Sequence, residues 1–386
     1  MKKQQKSRIR SLDFEPTYDK TSSSALESLN QVLACDPPEF SSFTLPFNQR
    51  IPPFLLLNSN SAGGEQQKLA QGGFCQISVV TLTVELEQRL QKMQQQTERY
   101  EKDKNYGGSK VVLKRLLPRR CAFEVDVQKF MREVKLMYWF HAQSTRLHND
   151  EQGRENNGHL IWPLGWNESD LNHYVLQPLM INGDLYRFIG SRSGDTISRQ
   201  QRIVWCVQLC TALGHIHDSG YVHCDIKSLN VLLDENLDMY LTDFADMKHE
   251  KYFETMMKKN NDNNNDRTDG NSGSQLVPHG TILWMSPEMA ALDDSSSTMV
   301  ISTKSDIYSL GIVIYEIFAW RKPFEGVNVL TVLDNLKQRT NCTMDLDTEA
   351  IPGDVAHIIE QCWLLDATKR PSCHELRAMF SNMLLI

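Results

Sequence analysis

The sequence predicts an α+β fold in two lobes: a small, antiparallel, β-rich lobe with one key helix, then a larger and mainly helical lobe. Three observations predict it. Runs rich in β-branched residues, with the character of strands, gather before about residue 180. Runs with the period of a helix dominate after it. The chain has 386 residues, 40% apolar and 23% charged, which suits one bilobal globular unit with tails.

Residues 1–62 mix Ser, Asn and Pro with short apolar pieces and show no sustained period, so they read as a poorly ordered leader. The folded unit is expected at 63–386, with the small lobe at 63–180 and the large lobe at 181–386. Within 69–84, Gly72-Gly73 separates two strand-like runs, the pattern of a hairpin through a glycine turn. Residues 85–109 are charged, Gln-rich and short of apolar anchors, and read as a solvated helical insertion. Residues 110–114 resume a strand, and 123–140 carry Phe130, Val134, Met137 and Phe140 at helical spacing. A polar loop at 141–158 precedes strand-like runs at 160–162 and 174–176. In the second half, 197–217 reads as a helix with Ser198 as N-cap and Gly220 just beyond its end. Residues 257–275 are dominated by Asn, Asp, Gly and Lys, which cannot bury a core, and read as flexible. Buried helices are expected at 305–320 and 355–365.

A net charge of −7 speaks against a nucleic-acid binder, which would present a basic face. Nine cysteines occur without a CxxC pair, and no histidine stands at zinc-ligand spacing, so buried free thiols in a reducing compartment are expected. The absence of an apolar run of about 18 residues predicts no membrane span. The basic start MKKQQKSRIRS lacks the apolar centre of a secretory signal. The cytoplasm is the expected location, with the nucleus as the alternative.

The chemistry is concentrated in His223-Cys224-Asp225-Ile226-Lys227-Ser228-Leu229-Asn230, which sets a carboxylate, an ammonium and an amide within six positions before an apolar strand. With one letter changed, this resembles the catalytic loop H-R-D-x-x-x-x-N of protein kinases. Further stretches match the same family in order. Val111-Val112-Leu113-Lys114 resembles V-A-I-K, and Thr242-Asp243-Phe244-Ala245 is a variant of D-F-G. Gly280 to Glu288 resembles the G-T-x-x-W-M-A-P-E end of an activation segment, and Asp306 to Gly311 the helix whose aspartate braces the catalytic loop. Arg370-Pro371 resembles the arginine that pairs with the A-P-E glutamate, here Glu288. The resemblance covers about residues 66–384 and implies a protein-kinase-like fold.

It also implies roles. Asp225 would accept or orient the substrate hydroxyl's proton, and Lys227 would neutralise the transferring phosphoryl group. Lys114 would hold the α- and β-phosphates of ATP, with Glu133 its partner and Glu124 the weaker candidate. Asn230 and Asp243 would hold Mg²⁺, a hard cation that prefers oxygen ligands. The ATP site would further include Gly72, Gly73 and Phe74 of the phosphate-covering loop, and Ile77, Val112 and Leu232. Gln177 falls at the gatekeeper position, followed by Pro178 with a usable carbonyl and Met180 offering both backbone groups.

The sequence departs from the family in three places. Of G-x-G-x-x-G, the run Ala70 to Cys75 keeps only the middle glycine, and glycine is what lets amides approach phosphate closely. Cys224 replaces the arginine that would pair with an activation-loop phosphate, so phosphorylation at Thr255, Thr268, Ser272 or Ser274 should not switch activity through that contact. Ala245 replaces a glycine, which should disfavour an outward flip of Phe244. The resemblance implies an ATP- and Mg²⁺-dependent serine/threonine kinase of protein substrates, closest to the tyrosine-kinase-like branch, with no nucleic-acid partner. The rival is a pseudokinase acting as a nucleotide-binding or scaffolding module, with partners met through the leader and the insertions.

Overall fold

The computed structural model describes residues 23–51, 67–96, 110–147, 158–169, 172–191, 194–262, 282–291, 301–338, 344, 346 and 350–385. The small lobe is built on an antiparallel five-stranded sheet, β1 (Gln67–Gln71), β2 (Cys75–Thr81), β3 (Lys110–Leu116), β4 (Gly165–Asn167) and β5 (Tyr174–Pro178), in the order β1-β2-β3-β5-β4. The expected glycine hairpin joins β1 to β2. Its neighbours Ile77 and Val175 place Lys114 in the middle of the sheet, and buried Val111 and Leu113 point to the opposite face by the alternation of a strand. Residues 160–162, expected as a strand, form only a bridge from Leu160 to Leu241. Pro163 comes directly after, and without an amide hydrogen it cannot extend a ladder, so the strand begins later, at Gly165.

The leader corrects the reading of 1–62 as poorly ordered. Residues 23–51 hold α1 (Ser23–Cys35), α2 (Pro38–Ser41) and a 3₁₀ turn at Phe47–Gln49, and they bury Leu29, Phe40 and Ile51. The remainder of the leader lies outside the described residues. Its apolar residues are too few to show a period, yet these three find sites on the folded unit. The Gln-rich stretch forms α3 (Val84–Gln96), as its propensity predicts, but Leu86 and Leu90 anchor it in the core. Next comes α4 (Glu124–Leu147), with Phe130, Val134, Met137 and Phe140 all buried, as the period requires. This helix runs into the segment 141–158 that was expected to be loop.

The large lobe contains α5 (Leu185–Ser191), α6 (Arg199–Asp218), α7 (Glu250–Asp262), α8 (Pro287–Ala290), α9 (Thr303–Ala319), α10 (Val329–Lys337), α11 (Gly353–Cys362) and α12 (Cys373–Met383). Ser198 caps α6 by accepting from the Gln201 amide, as predicted. A capping box between Ser302 and Ser305 starts α9, the central pillar, in which every residue from Ser305 to Ala319 is buried. Gly311 is required there: a Cβ would lie 2.6 Å from that of Cys362 on α11. Helix α7 enters the segment 257–275 expected to be flexible, and residues 263–275 lie outside the described residues. Short strands β6 (Gly183–Asp184), β8 (Val231–Leu233) and β9 (Met239–Leu241) pair antiparallel beneath the cleft, and β7 (Tyr221–Val222) pairs with β10 (Lys248–His249). Among the described residues no helix is long and apolar enough to cross a membrane.

Candidate active site

The loop between β7 and β8 is fixed from below by two acids on α9. Asp306 accepts from the backbone amides of His223 at 2.7 Å and Cys224 at 3.0 Å, and it also contacts the His217 ring at 2.9 Å. One turn of 3₁₀ helix, Ser228–Asn230, ends the loop, and the Ser228 hydroxyl donates to Glu316 at 2.7 Å. Trp284 donates to the other Glu316 oxygen at 2.8 Å, so one carboxyl joins the loop to the segment that precedes α8. Burial pushes the Glu316 carboxyl up to about 8, against the pull of those two hydrogen bonds.

Above this floor the functional groups converge. The Lys227 ammonium lies 2.7 Å from Asp225 Oδ2, and the Asn230 amide nitrogen donates to the same oxygen at 3.0 Å and to the Asp225 carbonyl at 2.9 Å. Burial raises the Asp225 pKa, with Lys227 opposing the shift. The Asn230 backbone carbonyl accepts from the Thr242 amide at 3.0 Å, which seats Asp243 beside the loop. Asp243 itself adopts φ of +70° and Cys224 φ of +67°, left-handed conformations uncommon for residues with a side chain.

From the sheet, Lys114 reaches Glu133 on α4 at 2.6 Å and Asp243 at 3.1 Å. Burial alone would favour the neutral amine, but the Asp243 and Glu133 carboxylates hold the Lys114 ammonium well above the ordinary lysine range. In return Lys114 holds Asp243 below the usual carboxylate range. Glu124, the weaker candidate, instead accepts from Gln128 within the first turns of α4. Asn230 commits its amide nitrogen to Asp225 and not its side-chain oxygen, and Lys114 meets one of the two Asp243 oxygens. Those hard oxygens suit Mg²⁺, which binds through one or two protein groups while phosphate and water complete its shell. No cluster of three or more His, Cys, Asp or Glu with metal-binding geometry occurs among the described residues.

The hairpin over the cleft is held differently. The Gly72 amide donates to the Cys75 carbonyl at 3.1 Å, and the Gly73 carbonyl accepts from Arg120 at 3.1 Å and Arg119 at 3.3 Å. Phe74 packs against the apolar core while its carbonyl accepts from Leu117. Burial pushes the Cys75 thiol up to about 12, so it is not a thiolate nucleophile at neutral pH. Cys224 is likewise raised by burial, and its thiol faces the Val222 carbonyl at 3.5 Å. At the far end, Val112 is buried and Ile77 and Leu232 are half-buried. Gln177 contacts the Met137 sulfur of α4 at 3.5 Å. Pro178 closes β5 opposite Val111, and the Met180 carbonyl already accepts from Gly183 at 3.0 Å, so of the two groups expected from Met180 the carbonyl is engaged. Phe244 is fully buried, 6.2 Å from Phe140 and 6.1 Å from His223.

The remote pair is also formed. Arg370 holds Glu288 through two contacts of 2.5 and 3.0 Å and donates further to the Lys304 and Leu364 carbonyls. Of the stretch that leads to Glu288, Gly280 and Thr281 lie outside the described residues. Sequence reasoning missed Glu316 and Ser228. The available signal was a lone acid inside the apolar run of α9.

A family model of protein tyrosine and serine/threonine kinases matches residues 66–380. A putative serine/threonine-protein kinase/receptor, R831, of Acanthamoeba polyphaga mimivirus is 29% identical over 216 residues, 55% of this chain and 12% of that protein. Tyrosine-protein kinase csk-1 of Caenorhabditis elegans is 28% identical over 214 residues, 55% of this chain and 35% of that protein. The RGS domain-containing serine/threonine-protein kinase A of Dictyostelium discoideum is 25% identical over 281 residues, 72% of this chain and 21% of that protein. The matched segments thus span about a third or less of these relatives. Because the family model takes in both the sheet that carries Lys114 and the pillar that carries Asp306, the chain belongs to the protein tyrosine and serine/threonine kinases.

Proposed function

We propose that the chain is a serine/threonine protein kinase that transfers the γ-phosphoryl group of ATP to hydroxyls of protein substrates. One observation carries the reading: two charge clusters, Glu133–Lys114–Asp243 and Lys227–Asp225–Asn230, face one cleft with every partner within hydrogen-bonding distance. Each ionic group would be a cost to a site without use for it.

Phosphoryl transfer needs position and charge neutralisation rather than covalent chemistry. Lys114, held rigid and cationic by two carboxylates, binds the α- and β-phosphate oxygens. Asp225 accepts the proton of the incoming hydroxyl, and Lys227 offsets negative charge on the group in transit. Asn230 and Asp243 would hold Mg²⁺ through their side-chain oxygens, and the ion would supply charge neutralisation to the nucleotide's phosphates. Ile77, Val112 and Leu232 enclose the base, with Pro178 and Met180 at its edge. Serine/threonine rather than tyrosine specificity is supported by Lys227 two residues after Asp225 and by Thr281 in G-T-x-x-W-M, and the tyrosine-kinase-like branch by Trp284-Met285 and the stretch Asp306 to Gly311. The test is transfer of labelled phosphate from Mg-ATP to generic protein substrates, with phosphoamino-acid analysis and an Asp225→Asn control. Signal equal in both proteins would sink the proposal.

A second reading, a nucleotide-binding scaffold without turnover, is favoured by the Gly72 amide. It is used up within the hairpin itself, with Ala70 and Cys75 where family glycines stand. Mg-ATP binding without transfer would favour it.

A further inference from the structure

We propose that Asp36 is a positioning residue for the cleft: it holds α4 in the orientation that brings Glu133 to Lys114. The inference rests on the reading that this cleft binds ATP. Arg132 and Glu133 are neighbours on α4, and adjacent helical residues point about 100° apart, so one meets the cleft while the other meets the rear of the molecule. At the rear, Arg132 grips Asp36 through two contacts, Nε to Oδ2 at 2.9 Å and Nη2 to Oδ1 at 2.6 Å. Both side chains are withdrawn from solvent, at 6% and 2% exposure.

Asp36 does not act on α4 alone. The Tyr221 hydroxyl donates to its Oδ1 at 3.0 Å, and Tyr221 lies in β7, which leads straight into His223 and Asp225. The free edge of the Arg132 guanidinium donates to the Met247 carbonyl at 2.9 Å, three residues beyond Phe244. The Asp36–Arg132 pair therefore ties together the helix that presents Glu133, the strand that enters the loop through Asp36, and the segment that leaves Asp243 through Arg132. Nearby, Phe40 packs edge-on against Trp139 of α4 at 5.8 Å, and Lys135 of α4 donates to the Ser41 carbonyl. Farther along, the Ile51 amide donates to Trp166 and its carbonyl accepts from Tyr174, fixing the segment to β4 and β5.

A buried ion pair is a poor source of net stability, because desolvation offsets its attraction. What this pair does supply is direction: a bidentate guanidinium–carboxylate contact fixes both distance and angle. Cys224 offers no charge at this junction, whose parts the Arg132–Asp36 pair binds, with Lys135 beside it on the Ser41 carbonyl.

The test uses the full chain. Asp36→Asn preserves shape and removes the charge. Magnesium-ATP affinity is measured in this variant, in Glu133→Gln and in the double variant, alongside hydrogen exchange of the α4 amides. Asp36→Asn is expected to weaken ATP binding about tenfold, roughly 1.4 kcal/mol, and to speed exchange in α4 while β8 and β9 keep their protection. In the Glu133→Gln background the same change should add little, since the contact it aims is already gone. Fully additive losses, or unchanged exchange in α4, would overturn the proposal. If the parent chain bound no ATP, the nucleotide reading would fail while exchange in α4 still decided the role of Asp36. Should Asp36→Asn not unfold cooperatively, Tyr221→Phe removes one donor to Asp36 and keeps the ring, and should reproduce the pattern at smaller amplitude. No change in α4 exchange there would count equally against it.

Discussion

The floor and the roof of the cleft are held by different means. Below, residues 223–230 are pinned by buried side chains: Asp306 takes two backbone amides and Glu316 takes Ser228 and Trp284. Above, the turn at 72–75 is held by its own backbone and by arginines that reach a single carbonyl. On the floor the family's residues are present except at Cys224. On the roof only one glycine of three is left. The difference teaches where each set of residues is constrained. A buried acid without its partner costs several kcal/mol, whereas an exposed turn accommodates substitutions for a fraction of that.

The comparison breaks most sharply at Asp225. Asp225→Asn should lower kcat by about 10²- to 10⁴-fold with little change in unfolding temperature, as expected for loss of a general base. On the proposed role Asp225 must be ionised to act, and burial raises its pKa, so kcat/KM should fall with decreasing pH at values above those of an ordinary aspartate. A pH profile identical to that of an exposed carboxylate would count against the role.

Next comes the buried pair beneath the floor. Arg370→Leu leaves Glu288 uncompensated and should cost about 3–5 kcal/mol in denaturant unfolding; a loss under about 1 kcal/mol would show that Glu288 finds other partners.

Glu316 offers a pH test. Its pKa is raised from an ordinary 4.5 to about 8, so its contribution to stability is fully present below 4.5 and is lost as pH rises through 8. Stability should decline by up to about 1.4 kcal/mol per pH unit within that window, and Glu316→Gln should flatten the decline. A slope unchanged by the substitution would refute the assignment.

The smallest effect belongs to the roof. Ala70→Gly with Cys75→Gly should tighten Mg-ATP binding a few-fold, of order 0.5–1 kcal/mol, by restoring backbone freedom. A gain as large as the loss at Asp225 would mean that the roof, not the floor, governs the site.

Much of this was legible in the residues themselves. Lys114 and Glu133 could be paired through the resemblance of 111–114 to the kinase strand V-A-I-K, with the helical period of 123–140 placing Glu133 one turn before Met137; a lysine in an apolar strand would not by itself have shown it. The leader was not legible. Asp36 is unremarkable in its local sequence, and its meaning comes from Arg132, 96 positions away. Helix α3 shows a related limit: two leucines suffice to dock it, fewer than a pattern search requires. The turn at 72–75 was read correctly as a hairpin, but the use of the Gly72 amide depends on which carbonyl it meets. That is a matter of angstroms rather than of spacing.

Cys224 and Asp243 both hold the backbone in the left-handed region, where a residue with a Cβ is disfavoured by roughly 1–2 kcal/mol relative to glycine. Anyone wishing to make a hardier version of this protein would find two inviting places to relax the chain beside the same cleft. Glycine at Cys224 would ease the backbone and surrender the fixed direction in which Asp225 now points. At Asp243 it would remove the carboxylate that answers Lys114. Toughness and competence are thus set against each other at both positions, and improvement should be sought at α1, α3 and the helix caps instead.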